Sequence, residues 1–115
     1  MATKIKIKLN KDGYDALGGV VRQSASTFPV EDCYSLYVRE ELEKIAAKFV
    51  AKKWKQQKAY SFSLTISETV IFMRHIGDAM NTLGGYERAL YDLIFTKEIT
   101  PQITSAVQMR MNFNN

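Results

Sequence analysis

Three segments of this sequence alternate strictly between apolar and polar residues, and no other feature constrains the fold as strongly. A period of two places one parity of side chains on each face of a β-strand. The segments are Lys4-Ile5-Lys6-Ile7-Lys8-Leu9, then Tyr60-Ser61-Phe62-Ser63-Leu64-Thr65-Ile66, then Val107-Gln108-Met109-Arg110-Met111-Asn112-Phe113-Asn114. Each predicts a strand with one buried face. Ile5, Ile7, Leu9, Phe62, Leu64, Ile66, Val107, Met109, Met111 and Phe113 are expected to face a core, and the residues between them to face water.

Between these segments the period becomes helical. Tyr34, Val38, Leu42, Ile45 and Phe49 form one stripe, on a helix expected to begin near Pro29, with Glu31 and Asp32 at the positive end of its dipole. Phe72, Met73, Ile76, Met80 and Leu83 form a second, opened by Ser67-Glu68 and closed by Gly84-Gly85. Tyr86, Leu90, Leu93 and Ile94 form a third, which Pro101 is expected to stop or interrupt. Tyr14, Leu17 and Val21 also have helical spacing, but Gly13, Gly18 and Gly19 interrupt it. Each glycine costs a helix interior about 1 kcal/mol relative to alanine, so a helix over 11–24 needs tertiary support.

The expected fold is therefore α+β: a small three-stranded sheet, antiparallel or mixed, with about four helices packed on one face, in the order β-α-α-β-α-α-β. A chain of 115 residues has room for one core, and 46% hydrophobic with 24% charged residues is a folding composition, so 1–115 is read as a single domain.

The chemistry-bearing residues are few. Cys33 is the only cysteine and His75 the only histidine, which excludes an intrachain disulfide and any zinc site built from Cys and His. His75 lies beside an apolar stripe and is expected to be a boundary residue satisfied by hydrogen bonds. Glu31 and Asp32 beside Cys33 disfavour its thiolate, so an unreactive thiol is expected. Carboxylates such as Glu40, Glu41 and Glu43 read as a solvated helix face. No phosphate-binding loop, dinucleotide fingerprint or nucleophile elbow is present. No enzyme activity, cofactor, metal or small-molecule substrate is expected. The longest apolar stretch, Val70-Ile71-Phe72-Met73, is far short of a membrane span, and the first residues lack a signal-peptide core, so a cytoplasmic protein without a membrane partner is expected.

The formal net charge is +4, and two basic features account for its distribution. Lys44, Lys48, Lys52, Lys53, Lys55 and Lys58 follow one another without an acidic residue, and Trp54 lies among them. Continued as a helix, this run would put Trp54 about 180° from Ile45. Either the indole stands among lysines, suited to phosphate contact and base stacking, or the run is a basic helix end with the indole folded onto the core. Lys4, Lys6, Lys8 and Arg110 form the second feature, on the expected open face of the sheet. Every strand aromatic has the opposite parity, which counts against an RNA-recognition sheet; lysines there also guard an edge against aggregation. In element order alone, strand-helix-helix with outward lysines resembles one half of a ribbon-helix-helix DNA-binding protein, without a shared residue motif. That resemblance implies Lys4, Lys6 and Lys8 as residues facing a DNA groove. The long second helix, its acidic start and the C-terminal strand depart from the pattern.

Two roles follow. The first is a non-catalytic protein-interaction or assembly module, by self-association or with another protein, in which the C-terminal segment 101–115 takes part through Val107, Met109, Met111 and Phe113. Those four side chains pack either on the chain's own core or on a second copy. The alternative is a nucleic-acid-binding accessory protein using Lys48, Lys52, Lys53, Trp54, Lys55 and Lys58, with Lys4, Lys6, Lys8 and Arg110.

Overall fold

The computed structural model describes residues 3–52 and 59–114, with side chains at all of these except 50–52, 113 and 114. Within them the protein is α+β, mostly helical, with one small sheet. β1 (Lys4–Leu9) pairs antiparallel with β2 (Tyr60–Thr65), Lys4 opposite Thr65 and Leu9 opposite Tyr60. An isolated pair of strands is marginal in water. Here side chains occupy both outer edges. At β1 the Gln102 amide does the work of a neighbouring strand: its Oε1 accepts from the Lys6 N–H at 2.8 Å and its Nε2 donates to the Lys6 carbonyl at 2.6 Å. At β2, Glu68 Oε1 accepts from the Thr65 N–H at 2.8 Å, and Lys48 Nζ donates to the Ser63 carbonyl.

Four helices surround one face of this pair. α1 (Lys11–Thr27) starts at Asn10, whose side chain accepts from the Gly13 N–H, and it runs uninterrupted through its glycines. α2 (Cys33–Lys52) starts where Asp32 and Ser35 cap each other, the Asp32 carboxylate accepting from the Ser35 N–H and Ser35 Oγ accepting from the Asp32 N–H. α3 leaves β2 directly and comprises Ile66–Ile71, a π-helical turn Phe72–Ile76, and Gly77–Leu83. It opens with a capping box in which the Thr65 hydroxyl accepts from the Glu68 N–H and the Glu68 carboxylate returns to the Thr65 N–H. Gly84 (φ 71°) and Gly85 (φ 56°) then turn the chain through the left-handed region open to glycine. α4 comprises Gly85–Leu93, a second π-helical turn Ile94–Ile99, and Thr100–Asn114, a rod about 45 Å long. None of these helices is long and apolar enough to cross a membrane.

The core lies between the sheet and the helices. Ile5, Ile7, Leu64, Leu17, Val38, Leu42, Ile45, Phe72, Ile76 and Ile94 are fully buried in it. At one end Tyr14 stacks on Tyr60 with centroids 4.6 Å apart and meets Phe49 at 4.8 Å, while its hydroxyl donates to the Phe49 and Lys48 carbonyls at the end of α2.

The sheet has two strands among the described residues, not three: Val107 to Asn114, expected as a strand, is the end of α4. Two physical reasons combine. Pro101 does not stop the helix because the π-helical turn before it has already shifted the ladder, the Thr100 N–H reaching the Phe95 carbonyl. Gln102 and the Lys48–Glu68 pair, in turn, hold the edge positions to which a third strand would bond. Smaller corrections share one cause, that caps set helix starts more locally than stripes do. α2 begins at Cys33 rather than near Pro29, and the cap of α3 is Thr65 rather than Ser67, so Ile66 is the first helical residue and 45% exposed instead of buried. Tyr34, Leu83 and Tyr86, at the ends of their stripes, are exposed, and so is Leu93 within the third.

Candidate functional site

Part of the apolar surface that stays in water, Ile66, Val70 and Val107, lines one groove. Along α3, Ile66, Thr69, Val70 and Met73 recur at i, i+3, i+4 and i+7. Along the last segment of α4, Ile103, Ala106, Val107 and Arg110 recur at the same interval. These two rows, with Thr3, line an open groove of about 370 Å³. The capping box fixes where α3 begins, and the Gln102 amide on β1 fixes where the last segment of α4 leaves the body. The Thr69 hydroxyl donates to the Thr65 carbonyl at 2.7 Å, so it is committed inside the helix. Arg110 is the one charged residue lining the groove among the described residues. Such a cleft holds no general acid, base or nucleophile set; what it offers is burial of another apolar surface.

Beyond Ala106 the helix stands clear of the body: every residue from Val107 to Asn112 is exposed. Ile66, Val70, Val107, Met109 and Met111 are between 44% and 69% exposed. Val107, Met109 and Met111, expected on the inner face of a strand, therefore lie on a helix and in solvent, whereas Phe113 falls outside the side chains described. Arg110, expected beside the strand lysines, stands at the groove instead. Sequence reading missed the α3 wall because it places Met73 in the buried stripe with Phe72, Ile76 and Met80, and Ile66 on the inner face of the preceding strand. The signal was available: Ile66, Val70 and Met73 make a second apolar row on the same helix, more than one buried face needs.

Lys4, Lys6 and Lys8 are exposed on the outer face of the sheet, where Lys6 and Lys8 lie across from Ser63 and Ser61. A shallow polar depression of about 270 Å³ lies beside Lys6, Ser61 and Ser63. Tyr60 and Phe62 face the other way, into the core, so this face offers ammonium groups without a stacking platform. Of the basic run, Lys44 bonds Glu41 at 3.0 Å and Lys48 bonds Glu68 at 3.0 Å, both carboxylates being buried. Burial pushes the Glu68 carboxyl up, but the Thr65 N–H and the Lys48 ammonium outweigh it and hold Glu68 below its ordinary value. Lys53, Trp54, Lys55 and Lys58 lie outside the described residues, as does the side chain of Lys52.

His75 sits in the π-helical turn of α3, its ring edge-on to Phe28 with centroids 5.2 Å apart. It is a boundary residue as expected, but its Nε2 is buried without a hydrogen-bond partner among the described residues. Burial, helped by Arg74 and opposed by Asp78, lowers its basicity. Cys33 is exposed at the start of α2. Among the described residues no group of three His, Cys, Asp or Glu side chains is placed to hold a metal ion. No protein family, curated protein or solved structure matches the chain.

Proposed function

We propose that this protein is a non-catalytic interaction module whose docking surface is the groove between α3 and the last segment of α4. The observation that carries this reading is the contiguity of the apolar residues that line this groove. Scattered single residues on a surface need no explanation, whereas Ile66, Val70, Met73, Ala106 and Val107 form one cleft. A groove walled by two helices at i, i+3, i+4, i+7 spacing suits an amphipathic helix laid along it. The test is a titration of a synthetic amphipathic helical peptide, leucine at i, i+3, i+4 and i+7, onto sub-micromolar labelled protein, read by anisotropy. Saturable binding that Val70→Asp weakens at least tenfold, and Lys6→Glu leaves unchanged, is expected. An absence of binding at millimolar peptide overturns the reading.

A second reading rests on the row of Lys4, Lys6 and Lys8, which no acidic side chain interrupts on the outer face of the two strands. It is contact with a nucleic-acid backbone by charge alone. Affinity for short DNA or RNA should fall steeply with salt and with Lys6→Glu/Lys8→Glu. Binding that is absent at low ionic strength rules it out.

A further inference from the structure

Resting on the docking reading, we infer that the occupant of the groove is an acidic amphipathic helix of another protein, an apolar row bordered by Asp or Glu that meets Arg110. The first reason is where Arg110 stands. At about 100° per residue, Ile103, Ala106, Val107, Met109 and Met111 spread over roughly 200° of the last segment of α4, and Arg110 falls near the middle of that arc. It lines the groove and is exposed. A partner that covers this apolar wall therefore covers the guanidinium as well. Withdrawing a cation from water is costly unless the partner brings an anion to it, and a carboxylate can meet a guanidinium with two parallel hydrogen bonds.

The groove's own walls supply no such anion. Residues 99–115 contain no Asp or Glu, and residues 66–77 contain only Glu68. Glu68 is buried and committed to Lys48 and the Thr65 N–H. Among the described residues no carboxylate pairs with Arg110. The rim has the same sign. Arg74 is exposed one helical turn after Val70, and Lys4 is exposed next to Thr3, so the charges bordering the groove are cationic on α3, on β1 and on α4. Complementary charge selects an acidic partner and rejects a basic one. The apolar residues line a cleft rather than a convex face, which suits a helix better than a lipid surface. Because the groove is small beside a standard protein–protein interface, a weak and reversible complex is expected.

Three synthetic peptides test this. All carry leucine at i, i+3, i+4 and i+7, with Glu at the flanking positions of the first, Gln in the second and Lys in the third. Each is titrated onto labelled protein and read by anisotropy, with circular dichroism to show that each variant is folded. The acidic peptide is expected to bind at least tenfold tighter than the glutamine peptide at about 50 mM salt, and the preference to shrink at about 1 M, where the Debye length is about 3 Å. Arg110→Gln should remove most of that preference without weakening the glutamine peptide. Arg110→Glu should tighten the lysine peptide at least tenfold, which a folding defect could not do. Glutamine and lysine peptides that bind as tightly as the acidic one, all sensitive to Val70→Asp, overturn the inference and leave the docking reading standing. A preference for Glu that neither change at Arg110 alters also overturns it. No binding of any peptide at millimolar concentration removes both. Binding instead to vesicles of equal parts phosphatidylserine and phosphatidylcholine, lost in Val70→Asp, would identify a lipid surface and likewise removes both.

Discussion

Glu68 shows how much one side chain settles. It is buried, closes the capping box of α3, takes the Thr65 N–H at the β2 edge and pairs with Lys48 from α2. The backbone donor and the ammonium together outweigh the burial penalty, so its folded pKa lies below the ordinary glutamate value. The carboxylate therefore contributes its full stabilisation above the unfolded value and loses it as pH falls through the folded one. Glu68→Gln keeps an acceptor for Thr65 but removes the charge. It should cost about 1.5–3 kcal/mol at pH 7, as for a hydrogen bond to a charged group, and flatten the loss of stability at acid pH. Urea unfolding at intervals from pH 3 to 7 checks both; an acid limb as steep as that of the parent would refute the assignment. The Thr65–Glu68 spacing is visible in the sequence as a capping signature, but the partnership with Lys48 is not. Those two residues are twenty apart and meet only because α2 packs beside the start of α3.

At the scale of elements, the edges of the sheet explain why two strands suffice. An exposed edge invites pairing with another chain, and at β1 the Gln102 amide satisfies both groups of Lys6. Gln102→Leu frees that N–H and carbonyl to water, so the cost should be about 1 kcal/mol rather than that of a buried unsatisfied pair. Hydrogen exchange at the Lys6 amide should accelerate, and exchange along residues 103–114 with it, since the same amide moors that segment. Unchanged exchange at Lys6 would show that the edge is held by something else. α3 and α4 each carry a π-helical turn, and in α4 it precedes Pro101. A proline read in isolation signals a helix end, yet a wider turn ahead of it lets the helix continue.

For the whole molecule, the consequence of a helical C-terminus is that the described side chains beyond Ala106 lie outside the core. The side chains from Val107 to Asn112 are exposed, so a chain ending at Ala106 should fold with stability within about 1 kcal/mol of the parent, as expected where no buried contact is lost. Thermal unfolding of the two lengths side by side checks this. A shortened chain that fails to unfold cooperatively would mean that the final segment completes the core after all. The same truncation removes Val107 and Arg110, half of one wall of the groove, so it should weaken helix docking at least tenfold while leaving the fold.

Most of the core was legible from residue order. β1, β2 and the stripes through Val38, Leu42, Ile45 and Phe49, and through Phe72, Ile76 and Met80, are buried as their periods require, because periodicity records which side chains must leave water. What periodicity does not record is what each face meets. Val107-Gln108-Met109-Arg110-Met111 alternates as a strand does, but it continues an unbroken helix and finds both sheet edges occupied by Gln102, Lys48 and Glu68. Its apolar residues consequently remain outside the core. The groove could be read only in three dimensions, since its two walls are thirty-seven residues apart in the chain and become neighbours through the turn at Gly84-Gly85 and the mooring of Gln102 on β1.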